Sequence, residues 1–254
     1  MKQTIYNNIS EWYNPEIDYW EMLNNFRYTK DPLREAIGYK PTMMVNGVEY
    51  PNPLDHVTLM FHAKAWDYDP VTKKEYPSKQ QQFQFWNKSF NDAIVNIINK
   101  MEPKLILDVC AGDGMLPKIL ADRGFNIKAV DDYSWPFRKR YFKVEKLDYK
   151  KALEKYQPDI VIGSWMPLGT DWTKDFRKTK SVKHYLIIGE VDAACGGNWT
   201  DRKTWPMKRK DEASKYALCR TDDLWWRDDG KLDDHFMMHH SAVYSFSRRK
   251  YAID

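Results

Sequence analysis

At 254 residues the chain is long enough to bury a sizeable core, and one principal domain with an appended segment is the economical reading. A net charge of +4 and a sequence pI near 8.7 are mildly basic, well short of the excess expected of a protein that coats nucleic acid. No apolar run reaches the ~20 residues of a membrane span, the opening residues do not read as a secretory signal, and Cys110, Cys195 and Cys219 form no Cys-x-x-Cys pair, so membrane insertion, a disulfide scaffold and a zinc ribbon are set aside in favour of a reducing, cytoplasmic compartment.

Residues 1–77 are organised differently from the rest. They are dense in aromatics (Trp12, Tyr13, Tyr19, Trp20, Phe26, Tyr28, Trp66, Tyr68) and broken by turn clusters at Asn14-Pro15, 50–53 and Asp69-Pro70. Such density serves either a small cap that needs bulky residues for a core of its own or a stacking surface for a ligand. Residues 77–101 predict one long helix, with Ser78 near its cap and Phe83, Trp86, Phe90, Ile94, Ile97 and Ile98 along one face.

The segment KLILDVCAGDG (104–114) is an apolar run that ends in Asp108 and breaks into a loop holding Gly112 and Gly114. A helix is expected over 115–124, stopped by Gly124, then a short strand NIKAVDD (126–132) that ends in acids, and a second helix over 148–156. PDIVIGSWMPLGTDW (158–172) is a buried-strand pattern ending in polar and aromatic residues, followed by a fifth apolar strand at 185–191. An alternating strand over 241–249 is expected to pair antiparallel at a sheet edge. Strand and helix alternating at this spacing predict an α/β fold, a mostly parallel sheet covered on both faces, with its ligand outside the carboxyl ends of the strands.

A small-residue turn between a buried strand and a helix is where nucleotide-like cofactors lie. Asp131 stands 17 residues past Gly114, near the spacing at which a strand-end carboxylate reaches ribose hydroxyls. Both features point to a cofactor containing a nucleoside. A dinucleotide fingerprint requires three glycines, whereas the series here runs Cys110, Gly112, Gly114 and Pro117, and no Gly-Lys-Ser/Thr follows to make a P-loop. Pro117 suits the first turn of the following helix, where its missing N–H costs nothing.

At these residues the chain resembles the class I, Rossmann-like S-adenosylmethionine-dependent methyltransferases, over roughly residues 100–250. The resemblance implies a doubly wound, mostly parallel seven-stranded sheet with helices on both faces, an aromatic-rich amino-terminal cap over 1–77, and a cofactor-binding domain over 78–254. It implies that S-adenosyl-L-methionine is cradled by Asp108, Cys110, Ala111, Gly112 and Gly114, with Cys110 in place of the family's first glycine. Asp131 corresponds to the ribose-binding acid, with Asp132 as the neighbour able to take that role, and Asp148 to the acid or amide beside the adenine amino group.

Ser164-Trp165-Met166-Pro167 looks like a degenerate form of the Asp/Asn/Ser-Pro-Pro-aromatic motif of amino-methyltransferases, which implies a catalytic role for Ser164, Trp165 and Pro167. A planar amine is a poor nucleophile because its lone pair is delocalised. Hydrogen-bond acceptors must draw on its N–H bonds while an aromatic face holds the ring. Ser164 supplies such an acceptor and Trp165 such a face. The acceptor substrate expected is an amino nitrogen of a nucleic acid or a protein. A small-molecule methyltransferase with an aromatic lid and a cofactor-binding partner subunit without activity are the alternatives, and the sequence is silent on oligomeric state.

Cations concentrate at 202–210 and from Lys174 to Lys183, either as a solvated surface or as the border of a substrate opening. His235, His239 and His240 lack a supporting carboxylate or cysteine at ligand spacing, so no metal is expected. Residues 189–200 read equally as a plain loop or as a flexible edge of the active site, and 224–234 as a hairpin turning at Asp229-Gly230.

Overall fold

The computed structural model describes residues 42–45, 48–51, 68–69, 74–75, 83–84, 86–134, 140–167, 169–190, 205, 212–217 and 241–252. Two small antiparallel pairs come first: β1 (Thr42–Val45) with β2 (Val48–Pro51), and β3 (Tyr68–Asp69) with β4 (Lys74–Glu75). The dipeptide Asn46-Gly47 separates β1 from β2, a hairpin signal that the turn-based reading of this segment passed over. Of the eight aromatics assigned to the cap, Tyr68 lies in β3 and the other seven lie outside the described residues.

The main sheet has six described strands: β5 (Ile106–Asp108), β6 (Ile127–Asp131), β7 (Val144–Lys146), β8 (Ile160–Ser164), β9 (His184–Glu190) and β10 (Ser241–Ser247). Their order is β10-β9-β8-β5-β6-β7, parallel throughout except that β10 runs antiparallel to β9, with Ser241 opposite Glu190 and Ser247 opposite His184. The parallel sheet with an antiparallel edge strand is the expected architecture, with six strands among the described residues where the resemblance implies seven. At Val243 the Ser214 hydroxyl accepts from the strand's N–H at 2.9 Å and donates to its C=O at 3.2 Å, satisfying groups that the sheet leaves unpaired there.

Period-two alternation along the central strands sorts the core into two layers. Ile106, Ile160, Ile162, Leu186 and Ile188 face one side, where α1 (Lys88–Asn99) and α2 (Met115–Asp122) pack through Phe90, Ile94, Ile98, Met115, Ile119 and Leu120. Leu107, Val161, Tyr185 and Ile187 face the other, covered by Ala152 and Leu153 of α3 (Tyr149–Tyr156) and Phe176 of α4 (Thr173–Lys178). With helices on both faces, the inner strands are buried throughout and apolar up to their carboxyl ends, where β5 closes with Asp108 and β8 with Ser164.

The expected helix over 77–101 is corrected at its start. It begins at Lys88, capped by Asn87, whose side-chain oxygen accepts from the Phe90 N–H at 3.0 Å while its amide donates to the Tyr216 carbonyl at 2.9 Å. Asn87 is completely buried, so this cap also ties the helix to the 3-10 turn Glu212–Tyr216. Phe83 and Trp86 therefore precede the helix, and Ser78 lies outside the described residues. α2 ends as expected, with Gly124 in the left-handed region at φ 87° and its N–H on the Ala121 carbonyl.

His184, at the amino end of β9, is 3% exposed, its Nδ1 lies 2.8 Å from Ser247 Oγ, and burial followed by the neighbouring Lys183 charge pushes its pKa down to about 4. The unfolded chain binds a proton there from about 6.5 downward while the folded chain resists it, so this residue's contribution is present above 6.5 and is lost as pH falls toward 4. The expected outcome is that Tm, followed by circular dichroism, drops across that window in the wild type and drops less in His184→Gln.

Candidate functional site

The site forms where β5 gives way to α2. Val109 N–H bonds to the Ile162 carbonyl at 3.0 Å and Ala111 N–H to the Val130 carbonyl at 3.2 Å, so the chain leaves the sheet while held on both sides. Asp108 turns back to accept from Cys110 N–H at 3.1 Å, and Asp113 accepts from Met115 N–H at 3.0 Å, which satisfies one of the orphan donors at the start of α2. Gly114 has φ 81°, and a Cβ there would lie 2.9 Å from Phe142 Cβ and 3.0 Å from Phe142 N, so glycine is required by both conformation and space. Cys110 keeps its backbone out of the left-handed region, which explains why a side chain is accommodated where the resembled pattern has glycine.

Asp131 closes the loop from the neighbouring strand. One carboxylate oxygen accepts from Gly112 N–H at 3.0 Å and the other from Tyr133 N–H at 2.8 Å. Burial raises its pKa most, against those two N–H bonds and the Arg140 charge. Arg140 itself lies over the Tyr133 ring at 3.8 Å, and Tyr133 donates its hydroxyl to the Val144 carbonyl, bracing β6 against β7. Asp132 is exposed and accepts from Ser134 N–H at 2.8 Å.

A shallow cleft of about 70 Å3 opens at the carboxyl ends of β5 and β8. Asp108, Cys110, Ala111, Gly112, Asp113 and Leu116 form one wall, Ser164 and Trp165 a second, and Phe83, Gln84 and Trp86 a third. The structure thus brings together six of the sequence-predicted residues: Asp108, Cys110, Ala111, Gly112, Ser164 and Trp165. Gly114 and Asp131 stand immediately behind the loop, and Asp132 lies beyond Asp131. Pro167 is exposed and its carbonyl accepts from Thr170, so it shapes a turn and does not line the cleft. Asp148 is the exposed N-cap of α3, accepting from the Lys150 and Lys151 amides at 3.0 and 3.3 Å, and lies outside the cleft lining.

Residues that sequence reasoning missed are Gln84, Asp113 and Leu116, together with Phe83 and Trp86, which had been placed on a helix face. Asp-Gly ahead of an apolar run is a cap signal that could have drawn attention to Asp113. Nothing local marks Gln84, whose partners are 81 and 157 residues away. Within the cation run, Lys183 pairs with Asp159 at 2.6 Å at the amino ends of β8 and β9, the opposite end of these strands from the cleft, as the solvated-surface reading expects there. Of residues 202–210 only Trp205 is described, buried against Tyr185, and the histidine cluster, Cys195, Cys219 and the 224–234 turn lie outside the described residues.

Asp108 is 1% exposed, and burial, with the Asp131 and Asp113 charges adding to it, raises its pKa to about 7 against the single Cys110 N–H. Three carboxylates around one loop disfavour a phosphate-bearing ligand and favour a cationic one. Among the described residues no group of three or more His, Cys, Asp and Glu is placed to hold a metal ion, and no helix is long and apolar enough to cross a membrane.

No protein-family model matches the chain and no curated protein matches it. Similar solved structures are methyltransferases. Magnesium protoporphyrin IX methyltransferase from Synechocystis PCC 6803, with bound S-adenosylmethionine, is 11% identical with a TM-score of 0.40, covering 93% of this chain and 100% of that one. The 23S rRNA methyltransferase ErmE is 14% identical with a TM-score of 0.38, covering 66% and 70%. The 1,6-didemethyltoxoflavin-N1-methyltransferase of Burkholderia thailandensis, with bound S-adenosylhomocysteine, is 14% identical with a TM-score of 0.34, covering 63% and 78%. What this cleft can hold is decided by its own residues.

Two outcomes follow from the loop. Because the folded pKa of Asp108 is raised from 3.8 to about 7, its contribution is complete below 3.8 and is lost as pH rises through 7, so Asp108→Asn should flatten that decline in a Tm-against-pH series. Gly114→Ala should cost about 2 kcal/mol in urea unfolding, from the strained φ and the contact with Phe142.

Proposed function

We propose that this chain is an S-adenosylmethionine-dependent methyltransferase acting on a planar amino nitrogen. The observation that carries the reading is the Asp131 clamp on Gly112, which sets a strand-end carboxylate behind a glycine loop whose open side is lined by buried acids. The residues fit the cofactor on chemistry. Its sulfonium and ammonium match the acids Asp108 and Asp113, whereas a pyrophosphate would be repelled by them. Gly114 lets the backbone turn where any Cβ would collide.

In this reading Asp108, Cys110, Ala111, Gly112 and Gly114 hold the methionine part, and Asp131 with Asp132 beside it binds the ribose. The bound cofactor supplies a methyl group already activated on sulfur. The protein's work is alignment and exclusion of water. Ser164, at the end of β8 and 7% exposed, accepts an N–H of the acceptor amine and so localises the nitrogen lone pair. Trp165 offers its ring as a face for the acceptor and for positive charge. The domain over 78–254 carries the site, with 1–77 as its cap.

The acceptor amine is carried by a nucleic acid or a protein. A small-molecule acceptor is the second reading, favoured by Phe83, Gln84 and Trp86 closing one wall of the cleft with large side chains.

Calorimetry with S-adenosylmethionine tests the reading. Binding is expected in the micromolar range, to weaken at least tenfold in Asp131→Ala, and to strengthen as pH rises through about 7, because a cation in the cleft favours ionised Asp108. No heat with the cofactor, or tighter binding of a dinucleotide, would sink it. Incubation with labelled cofactor and separate DNA, RNA, protein and metabolite pools then identifies the acceptor class.

A further inference from the structure

Trp165 is held more tightly than a surface aromatic at the end of a strand needs to be. Its φ is 56°, in the left-handed region that a bulky side chain occupies only when its surroundings impose it, and its N–H is bonded to the Ile188 carbonyl of β9 at 2.7 Å. The backbone therefore fixes where the side chain leaves the chain. The rotation of the indole is fixed separately: its Nε1–H donates to Gln84 Oε1 at 3.3 Å. Gln84 is 2% exposed, and its own amide donates to Ser241 Oγ at 3.4 Å, at the first residue of β10. The Phe83 ring packs against the Trp165 ring at 5.3 Å, tilted by 37°, and both line the cleft that Ser164 also lines.

Three distant parts of the chain converge on this indole: the end of β8, the start of β10, and the stretch before α1. Gln84 spends both ends of its buried amide on this junction, the oxygen on the indole that walls the cleft and the nitrogen on the start of a strand. We propose that Gln84 is a positioning residue for the acceptor: it locks the Trp165 indole in the plane against which the acceptor ring stacks, with the tilted Phe83 ring packed against that indole. The role rests on the methyltransferase reading above, and it requires a flat heteroaromatic amine as the acceptor, whether a free molecule or a base in a single strand.

The test uses the full chain labelled with 15N at its tryptophan indoles, the Trp165 signal being assigned by its loss in Trp165→Phe. The probes are S-adenosylhomocysteine for the cofactor site, and adenosine, cytidine and a short single-stranded oligonucleotide for the acceptor site. Gln84→Leu should move the Trp165 indole signal, leave the homocysteine product's Kd within about twofold, and weaken probe binding about tenfold, with no further loss when added to Trp165→Phe. Gln84→Glu keeps an acceptor for the indole N–H and should restore most of the binding, which also separates the role from simple misfolding of the leucine variant. Preference for the nucleosides or for the oligonucleotide distinguishes the two sources of the amine.

An unmoved Trp165 signal, equal weakening at both sites, additive losses in the double variant, or no binding by any acceptor probe overturns the proposal. Failure of the wild type to bind S-adenosylhomocysteine is a different result: it removes the methyltransferase reading itself, and this role with it.

Discussion

The hydrogen bond from Gly112 N–H to the Asp131 carboxylate is the contact on which the rest of the site depends. It joins the loop after β5 to the end of β6, adding a side-chain tie to the Ala111 N–H bond that already links the loop to the Val130 carbonyl. The same carboxylate also takes the Tyr133 N–H, so a single half-buried carboxylate sets the path of both segments. A charge in that position must be satisfied by oriented donors, because burial alone would neutralise it. Backbone N–H groups are the donors used here, and they can be supplied only by a chain that turns sharply, which Gly112 and Gly114 allow.

A second constraint follows from the acids that line the turn. Asp108, Asp113 and Asp131 repel one another, and burial raises Asp108 until it titrates near neutrality. Such a loop is electrostatically incomplete without positive charge. This is why the cleft favours a cationic ligand over a phosphate-bearing one, although strand–glycine loop–helix geometry by itself serves both. Arg140 does not relieve the acids directly; it stacks on Tyr133, from which its charge reaches Asp131.

The fold was largely legible because its signals are local. The apolar runs of β5, β8 and β9, the acid that ends β5, the Gly124 stop and the alternation of β10 each occupy a few consecutive residues, and each appears in the structure where its pattern lies. Reading the helix from Ser78 failed for the same reason in reverse. Phe83 and Trp86 continue the helical spacing of Phe90 and Ile94, but Asn87 spends its side chain on a cap and on the Tyr216 carbonyl, and a contact 129 residues away has no local signature. Asp148 illustrates the ambiguity of a lone acid. The same residue that a cofactor pattern assigns to a base is, in its immediate surroundings, the N-cap that α3 needs.

The order of strands and helices, the glycines of the turn and the identity of the acids were written in the sequence alone, since the backbone freedom of a glycine and the apolar pattern of a strand are set within a few consecutive residues. The tertiary structure alone decided that Gln84, Ser241 and Trp165 meet, that Pro167 turns outward, and that Lys183 lies at the opposite end of the strands from the cleft. Those placements depend on which strands become neighbours, and long-range pairing is chosen by the packing of the whole core.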